Sequence, residues 1–302
     1  MPNMSNYSLP LVCINGRIHS YSDSGYAAND QPYDGVSPLD RGLAYGDGLF
    51  ETMLLVDGLA PLLSYHHKRL LKGLAHLNIT LNSERLVKDV NKLLDIAKSL
   101  DEKHLILKLT VTRGLGGHGY QVDPDASPTL ILQLFAGSVD LTKHNGVSVH
   151  ICNEALSPVS WAGLKTLNQL PYVLAAQERL NTNFDEGLLL ANNDELIEAT
   201  ARNVFIVKGD KILTPRLNES GVAGAQRQFI IESVAGQLGL DIVEAIIKLD
   251  DCLTADEVFL TNSLTGIWPV THCHYKERDY KWDVGAVTRS LQSMCHNVFF
   301  DR

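Results

Sequence analysis

Lys165 is the first residue of this chain whose setting points to chemistry. It lies in Trp161-Ala-Gly-Leu-Lys165-Thr-Leu-Asn168-Gln-Leu-Pro-Tyr-Val, where a Ser/Pro/Gly-containing approach gives way to an apolar-periodic stretch. A lysine held beside a core is partly desolvated. Desolvation favours the neutral amine, and a neutral amine can form a Schiff base. Most lysines are solvated surface groups, so Lys165 needs company before it counts as more than one of them. That company lies downstream in Leu188-Leu-Leu-Ala-Asn-Asn-Asp-Glu-Leu-Ile-Glu198-Ala-Thr-Ala-Arg-Asn203-Val-Phe. The stretch reads as a strand, a turn at Asn192-Asn193-Asp194 and a return strand, with the carboxylate of Glu198 ending the return among small residues.

These groups must be positioned by regular elements. Leu167, Leu170, Val173, Leu174 and Leu180 recur at helical spacing and predict a helix that lays one side against a core. Asn168 is its candidate N-cap, and Pro171 is tolerated in the first turn. At the N-terminal end, Leu11-Val-Cys-Ile-Asn-Gly-Arg-Ile predicts a hairpin turning at Asn15-Gly16. Residues 20–37 predict an irregular loop. Asp40-Arg-Gly-Leu-Ala-Tyr-Gly-Asp-Gly-Leu-Phe50-Glu runs through three glycines into a strand over 49–56. Ser64 to Leu77 predicts an amphipathic helix with Leu70, Leu74 and Leu77 on one stripe and Arg69 among lysines. Ser83 is the candidate N-cap of a second helix reaching Lys98. A strand over His104–Arg113 then meets Gly114-Leu-Gly-Gly-His118-Gly-Tyr120, and another strand follows from Thr129. Residues 136–145, with Gly137, Ser138 and Asp140, predict a linker. The domains expected are therefore 1–135 and 146–302.

In the second domain, Gly221-Val-Ala-Gly-Ala225-Gln226 leads from a loop into a helix, where unpaired N–H groups and the helix dipole favour phosphate. A buried strand from Asp256 ends at Asn262-Ser263, and residues 283–297 predict a terminal helix. Gly114-x-Gly116-x-x-Gly119 spells a dinucleotide fingerprint, but Asp123, Pro124, Asp125 and Pro128 follow where a phosphate-binding helix would begin, so that reading fails. No metal site is expected. His66 and His67 are adjacent and point apart on a helix, and His272 and His274 have no evident third ligand.

The pattern of Lys165 in Leu-Lys-Thr-Leu-Asn, Glu198 in Glu-Ala-Thr-Ala-Arg-Asn-Val-Phe, and the Asp40–Glu51 stretch resembles the fold-type IV pyridoxal-phosphate enzymes over nearly the whole chain. These include branched-chain and D-amino-acid aminotransferases and aminodeoxychorismate lyases. The resemblance implies a two-domain α/β protein of α+β type, with a small N-terminal domain, a larger mixed-sheet C-terminal domain and pyridoxal 5′-phosphate in the cleft between them. It implies that Lys165 carries the cofactor and moves the proton, and that Glu198 faces the pyridine nitrogen. Arg69, Ala225, Gln226, Asn262 and Ser263 would secure the phosphate, and Val222 would pack on the ring. Phe50 would lie on the substrate side. The loop at Gly114–Tyr120 is similar to the Arg-Gly-x-Gly-Gly-Arg-Gly-Tyr loop of aminodeoxychorismate lyases, with His118 in place of an arginine, which shifts substrate-carboxylate binding toward Arg113. The activity implied is a 4-amino-4-deoxychorismate lyase giving 4-aminobenzoate and pyruvate. The alternatives are an aminotransferase for D-amino or branched-chain amino acids, and a non-catalytic binding protein on the same fold. The family also implies a homodimer.

Bulk properties narrow the classes. A hydrophobic content of 45% with 20% charged residues marks a globular chain with material for a core. The net charge of −9 disfavours nucleic acid and anionic membranes as partners, while leaving a locally basic pocket for a small molecule possible. Five scattered cysteines form no paired framework and fit a reducing compartment. The opening residues carry no secretory pattern and no apolar run approaches membrane length, so the expectation is a cytoplasmic protein.

Overall fold

The computed structural model describes residues 9–20 and 35–299. Apart from their edges, the loop expected at 20–37 and the opening residues lie outside that range. The chain divides into two compact units, one of Met1–Ser138 with Lys165–Asn168, the other of Val139–Leu164 with Gln169–Arg302. The segment expected as a linker carries a 3-10 turn at Leu141–Asn145, which belongs to the second unit.

The first unit is built on β1 (Leu11–Ile14), β2 (Arg17–Ser20), α1 (Arg41–Tyr45), β3 (Gly48–Val56), α2 (Leu63–Leu77), α3 (Ser83–Ser99), β4 (His104–Thr112) and β5 (Thr129–Ala136). Its sheet runs β2-β1-β5-β4-β3 and is antiparallel throughout. Asn15 and Gly16 both have positive φ, 50° and 86°, as a two-residue hairpin turn requires. Alternate residues Leu105, Leu107, Leu130, Leu132 and Leu134 are fully buried on the sheet face that α2 and α3 cover. Leu70, Leu74 and His66 point inward from α2, while His67 is exposed, as their helical spacing dictates. The cap of α3 is Asn82 rather than Ser83: its side chain accepts from Arg85 N–H at 2.9 Å. Between β4 and β5 the Gly114–Tyr120 stretch forms a loop joining antiparallel neighbours, with no βαβ crossover.

The second unit comprises β6 (Val147–Leu156), α4 (Leu170–Glu178), β7 (Glu186–Ala191), β8 (Leu196–Ala199), β9 (Asn203–Lys208), β10 (Lys211–Pro215), α5 (Ala225–Phe229), α6 (Ala235–Gln237), β11 (Ile242–Ala245), α7 (Leu249–Leu253), β12 (Glu257–Asn262), β13 (Gly266–Tyr275), β14 (Arg278–Lys281) and α8 (Ala286–Phe299). Its mixed sheet has the order β11-β10-β9-β12-β13-β6-β7-β8, with β14 beside β13. Parallel pairs β10–β11, β13–β6 and β6–β7 sit among antiparallel ones. Phe205 and Phe259, stacked with centroids 4.9 Å apart, are fully buried on neighbouring strands. The two sheets give the mixed α/β architecture that the sequence implied. Among the described residues, no helix is long and apolar enough to cross a membrane.

The helix after Lys165 departs from expectation. It begins at Leu170, and Gln169 precedes it without a side-chain cap. Asn168 instead reaches back to α1, donating from Nδ2 to the Gly46 carbonyl at 3.0 Å. The stripe predicted to enter the core is largely outside: Leu170, Val173, Leu174 and Leu180 are 66, 50, 41 and 79% exposed, and only Ala175 of this helix is buried. Periodicity showed where the apolar face lies but not what covers it.

Candidate active site

In the first unit, Lys165–Asn168 lies against the start of β3. Phe50 N–H donates to the Lys165 carbonyl at 2.9 Å, Leu167 N–H to the Gly48 carbonyl at 3.0 Å, and Leu49 and Thr166 form an antiparallel bridge. The backbone of the lysine is thereby fixed, and its half-buried side chain places Nζ 4.3 Å from the centre of the Phe50 ring. The contact joins two residues that the sequence assigned to cofactor and substrate sides.

Beneath them is a buried polar network. Glu51, next on β3, accepts from His66 Nδ1 at 2.6 Å and from Arg69 through Nε at 2.8 Å and through Nη2. Burial alone would raise the Glu51 carboxyl, but Arg69 and His66 overcome it and hold the group at about 2. His66 is lowered, chiefly by burial and also by the charges of Arg69 and Lys165, against the pull of Glu51. Arg69, expected at a phosphate, is thus gripped side-on by a carboxylate that fixes its guanidinium plane.

A second cluster holds the glycine loop. Asp47 receives Arg113 Nε at 2.7 Å and Nη2 at 3.1 Å, and Arg41 Nε at 3.0 Å. Arg113 also donates to the Leu77 and Asn78 carbonyls at 2.7 and 3.1 Å, closing the end of α2. Arg41 reaches the carbonyls of Gly119, Tyr120 and Gln121. Burial would raise Asp47, but the two arginines lower it. The guanidinium expected to meet a substrate carboxylate therefore lies on Asp47 and a helix end, while His118 is exposed on the loop. The loop needs its glycines: at Gly117, φ is +82° and a Cβ would lie 2.0 Å from the Gln121 carbonyl oxygen.

In the second unit the centre is Glu198, 3% exposed at the end of β8. Its carboxylate accepts from Val222 N–H at 3.0 and 3.2 Å, Asn203 Nδ2 at 3.0 Å and the Tyr172 hydroxyl at 2.5 Å. Burial, then the Glu198 charge, pushes the Tyr172 phenol far up, so it remains a donor. Asn203 clamps the loop as well, donating to the Val222 carbonyl at 2.8 Å and accepting from Gly224 N–H at 3.1 Å. A Cβ at Gly224 would fall 2.0 Å from Asn203 Oδ1. Val222 is further pinned because Gly163 N–H donates to Gly221 O and Ala223 N–H to Gly163 O. Ala225 and the fully buried Gln226 then open a helical run, with no side chain capping its first N–H groups. That run passes through a π turn at Ile230–Val234 before α6. Asn262 folds the β12–β13 turn, accepting from Leu264 and Thr265 N–H at 3.1 and 3.0 Å; Ser263 sits half-buried within the turn.

Sequence reasoning passed over Glu51, His66, Asp47, Asn203 and Tyr172 as site residues. One signal was available: Glu51 is the one charged residue of a largely apolar strand, and a charge in such a place calls for a partner.

The chain matches the family model described as amino-transferase class IV over residues 48–273. It is 32% identical over 268 residues to the aminodeoxychorismate lyase of Vibrio harveyi, covering 87% of this chain and 97% of that one. It is 30% identical over 287 residues to the Bacillus subtilis aminodeoxychorismate lyase, covering 93 and 92%. Among solved structures, 4-amino-4-deoxychorismate lyase from Pseudomonas aeruginosa aligns with a TM-score of 0.80 at 36% identity, covering 89% of this chain and 97% of that one. The chain belongs to the class IV amino-transferase family, the fold-type IV enzymes.

Proposed function

We propose that this protein is a 4-amino-4-deoxychorismate lyase that uses pyridoxal 5′-phosphate. The observation that carries the choice of lyase is the loop Gly114–Tyr120, built as a unit on Arg41, Asp47 and Arg113; the relatives named as lyases along nearly their whole length support it. The residues present suit the cofactor. A buried carboxylate held by three neighbours stands ready for a protonated ring nitrogen, and a loop that a Gly224 side chain would break leads to uncapped N–H groups fit for a phosphate. When bound, pyridoxal phosphate supplies the electron sink for a carbanion.

In this reading Lys165 would hold the cofactor, Glu198 would keep its ring nitrogen charged, and Val222 would line its ring. Ala225 and Gln226 N–H groups, Arg69, Asn262 and Ser263 anchor the phosphate. Lys165 Nζ, once free of the cofactor, would take the proton from C4 of the substrate; the bond from the ring carbon to the enolpyruvyl oxygen breaks, Lys165 returns the proton to the departing enolpyruvate, which leaves as pyruvate, and the ring becomes aromatic as 4-aminobenzoate, a folate precursor. Phe50, beside Lys165, shapes the substrate side. Arg113 acts by fixing the loop that carries His118 toward the substrate. The five unpaired cysteines support a cytoplasmic setting. The exposed stripe on α4 supports a homodimer, since a row of large apolar side chains marks an interface; a monomeric mass in solution would count against it.

The test is to supply enzymatically generated aminodeoxychorismate to the purified holoenzyme. Release of 4-aminobenzoate and pyruvate, lost in Lys165→Ala, is the expected result. Transamination of D-alanine with 2-oxoglutarate, with aminodeoxychorismate left intact, would replace the lyase by an aminotransferase.

A further inference from the structure

Away from these groups, the second unit brings together three side chains whose chemistry the reaction does not use. His150 and Cys152 sit two apart on β6 and so share one face of the sheet; Glu178 is the last residue of α4, which packs on that strand. One ligand atom from each lies within 4.8 Å of the others. His150 Nε2 is 3.8 Å from Cys152 Sγ. A tetrahedral zinc with its usual bond lengths would hold a nitrogen and a sulfur about 3.5 Å apart, so side-chain shifts of about 1 Å complete the set.

Three features distinguish this cluster from ordinary packing. His150 is nine-tenths buried, yet its Nδ1 has no hydrogen-bond partner of good geometry, and its Nε2 lies 3.8 Å from the weakly bonding Cys152 thiol. Imidazole buried in that condition is under-satisfied. Glu178 is aimed from behind, its carboxylate accepting from Asn153 N–H and Nδ2 at 2.8 and 2.9 Å and from Glu154 N–H at 2.9 Å, as second-shell donors orient a ligand. Gly187, on the adjoining β7, leaves the space: a Cβ there would be 2.4 Å from Cys152 Sγ and 3.0 Å from His150 Cε1.

We propose that His150, Cys152 and Glu178 form a binding site for a divalent cation of borderline softness, zinc foremost, separate from the cofactor site. Thiolate, imidazole and carboxylate together select such an ion over magnesium or calcium. As the sulfur–metal bond forms, the thiol proton passes to solvent. Leu156, Ala175, Leu189 and Ile197 pack beside Cys152 and keep water from the sulfur side.

The test uses the chelator-treated holoenzyme titrated with Co²⁺. A near-ultraviolet thiolate-to-cobalt band should saturate at one ion per chain and be abolished by Zn²⁺. Cys152→Ser should remove the band, and Glu178→Gln should weaken Co²⁺ binding at least tenfold while circular dichroism shows an intact fold. Lyase turnover should be unchanged in Glu178→Gln. Absence of the band in the wild-type chain at stoichiometric Co²⁺, its persistence in Cys152→Ser, or unaltered affinity in Glu178→Gln overturns the proposal. Should Cys152→Ser fail to fold, Glu178→Gln alone decides.

Discussion

Glu51 is the place where burial, charge and the site can be separated by one substitution. Its carboxyl falls from an ordinary 4.5 to about 2 because Arg69 and His66 outweigh the burial that opposes them. At about 1.4 kcal/mol per tenfold in proton affinity, the ionised form contributes about 3 kcal/mol to folding at neutral pH. A depressed carboxyl stabilises above its unfolded value, and the contribution is lost as pH falls through its folded value. Two-site arithmetic puts about 2 kcal/mol of that loss between pH 5 and pH 3. Glu51→Gln has nearly the same shape and cannot titrate there, so the other carboxylates cancel in the difference between the two proteins. Urea unfolding of the full chain at several pH values should therefore show wild type more stable by about 3 kcal/mol at pH 7, with the gap narrowing on acidification. A gap that is constant or widens as pH falls would refute the reasoning, because the stabilising species would then not be the carboxylate.

Tyr172→Phe removes one charge-assisted donor from Glu198 but leaves Val222 N–H and Asn203 in place. A loss of about 1.5–3 kcal/mol in urea unfolding is expected, and no loss would mean the phenol is not the carboxylate's partner. Gly224→Ala drives a Cβ into Asn203 Oδ1, 2.0 Å away, so the residue clamping the loop must move. Pyridoxal phosphate binding, read by absorbance titration, should weaken at least tenfold; unchanged binding would remove this loop from the phosphate site.

What could be read from sequence was what local geometry determines. Asn15-Gly16 specifies a hairpin because both residues tolerate positive φ. The α2 stripe followed from Leu70 and Leu74, and the β4 and β5 runs from their leucines, since each repeats with the period of its element. Lys165 and Glu198 stood out in the sequence through their neighbours. The supports were not. Tyr172 stands far from Glu198 in sequence and reads as an aromatic on a helix. Asn168 reads as a cap because its residue type suits one, yet its side chain meets the carbonyl of Gly46, a left-handed residue distant in sequence and near in space. Leu170, Val173, Leu174 and Leu180 carry the signature of a core helix, which is the same pattern an interface helix shows.

The loop that most affects the functional reading illustrates why support matters more than the residue at its tip. His118 looks like a loss of charge in Gly114–Tyr120, and sequence reasoning moved that charge to Arg113. Arg113 lies on Asp47, Arg41 shares the Oδ2 of the same carboxylate, and Arg41 extends to the loop's far carbonyls. Backbone bonds reinforce the arrangement, from Arg41 N–H to Gly114 O at 2.9 Å and from Arg113 N–H to Asp47 O at 3.0 Å. A loop with four left-handed glycines has a large entropy to lose on ordering. Two arginines converging on one partly buried acid offset that loss better than one exposed ion pair could. Arg41 and Arg113 thus hold the loop in place, whereas His118 joins it through its backbone, which pairs with Gln121 whatever the side chain.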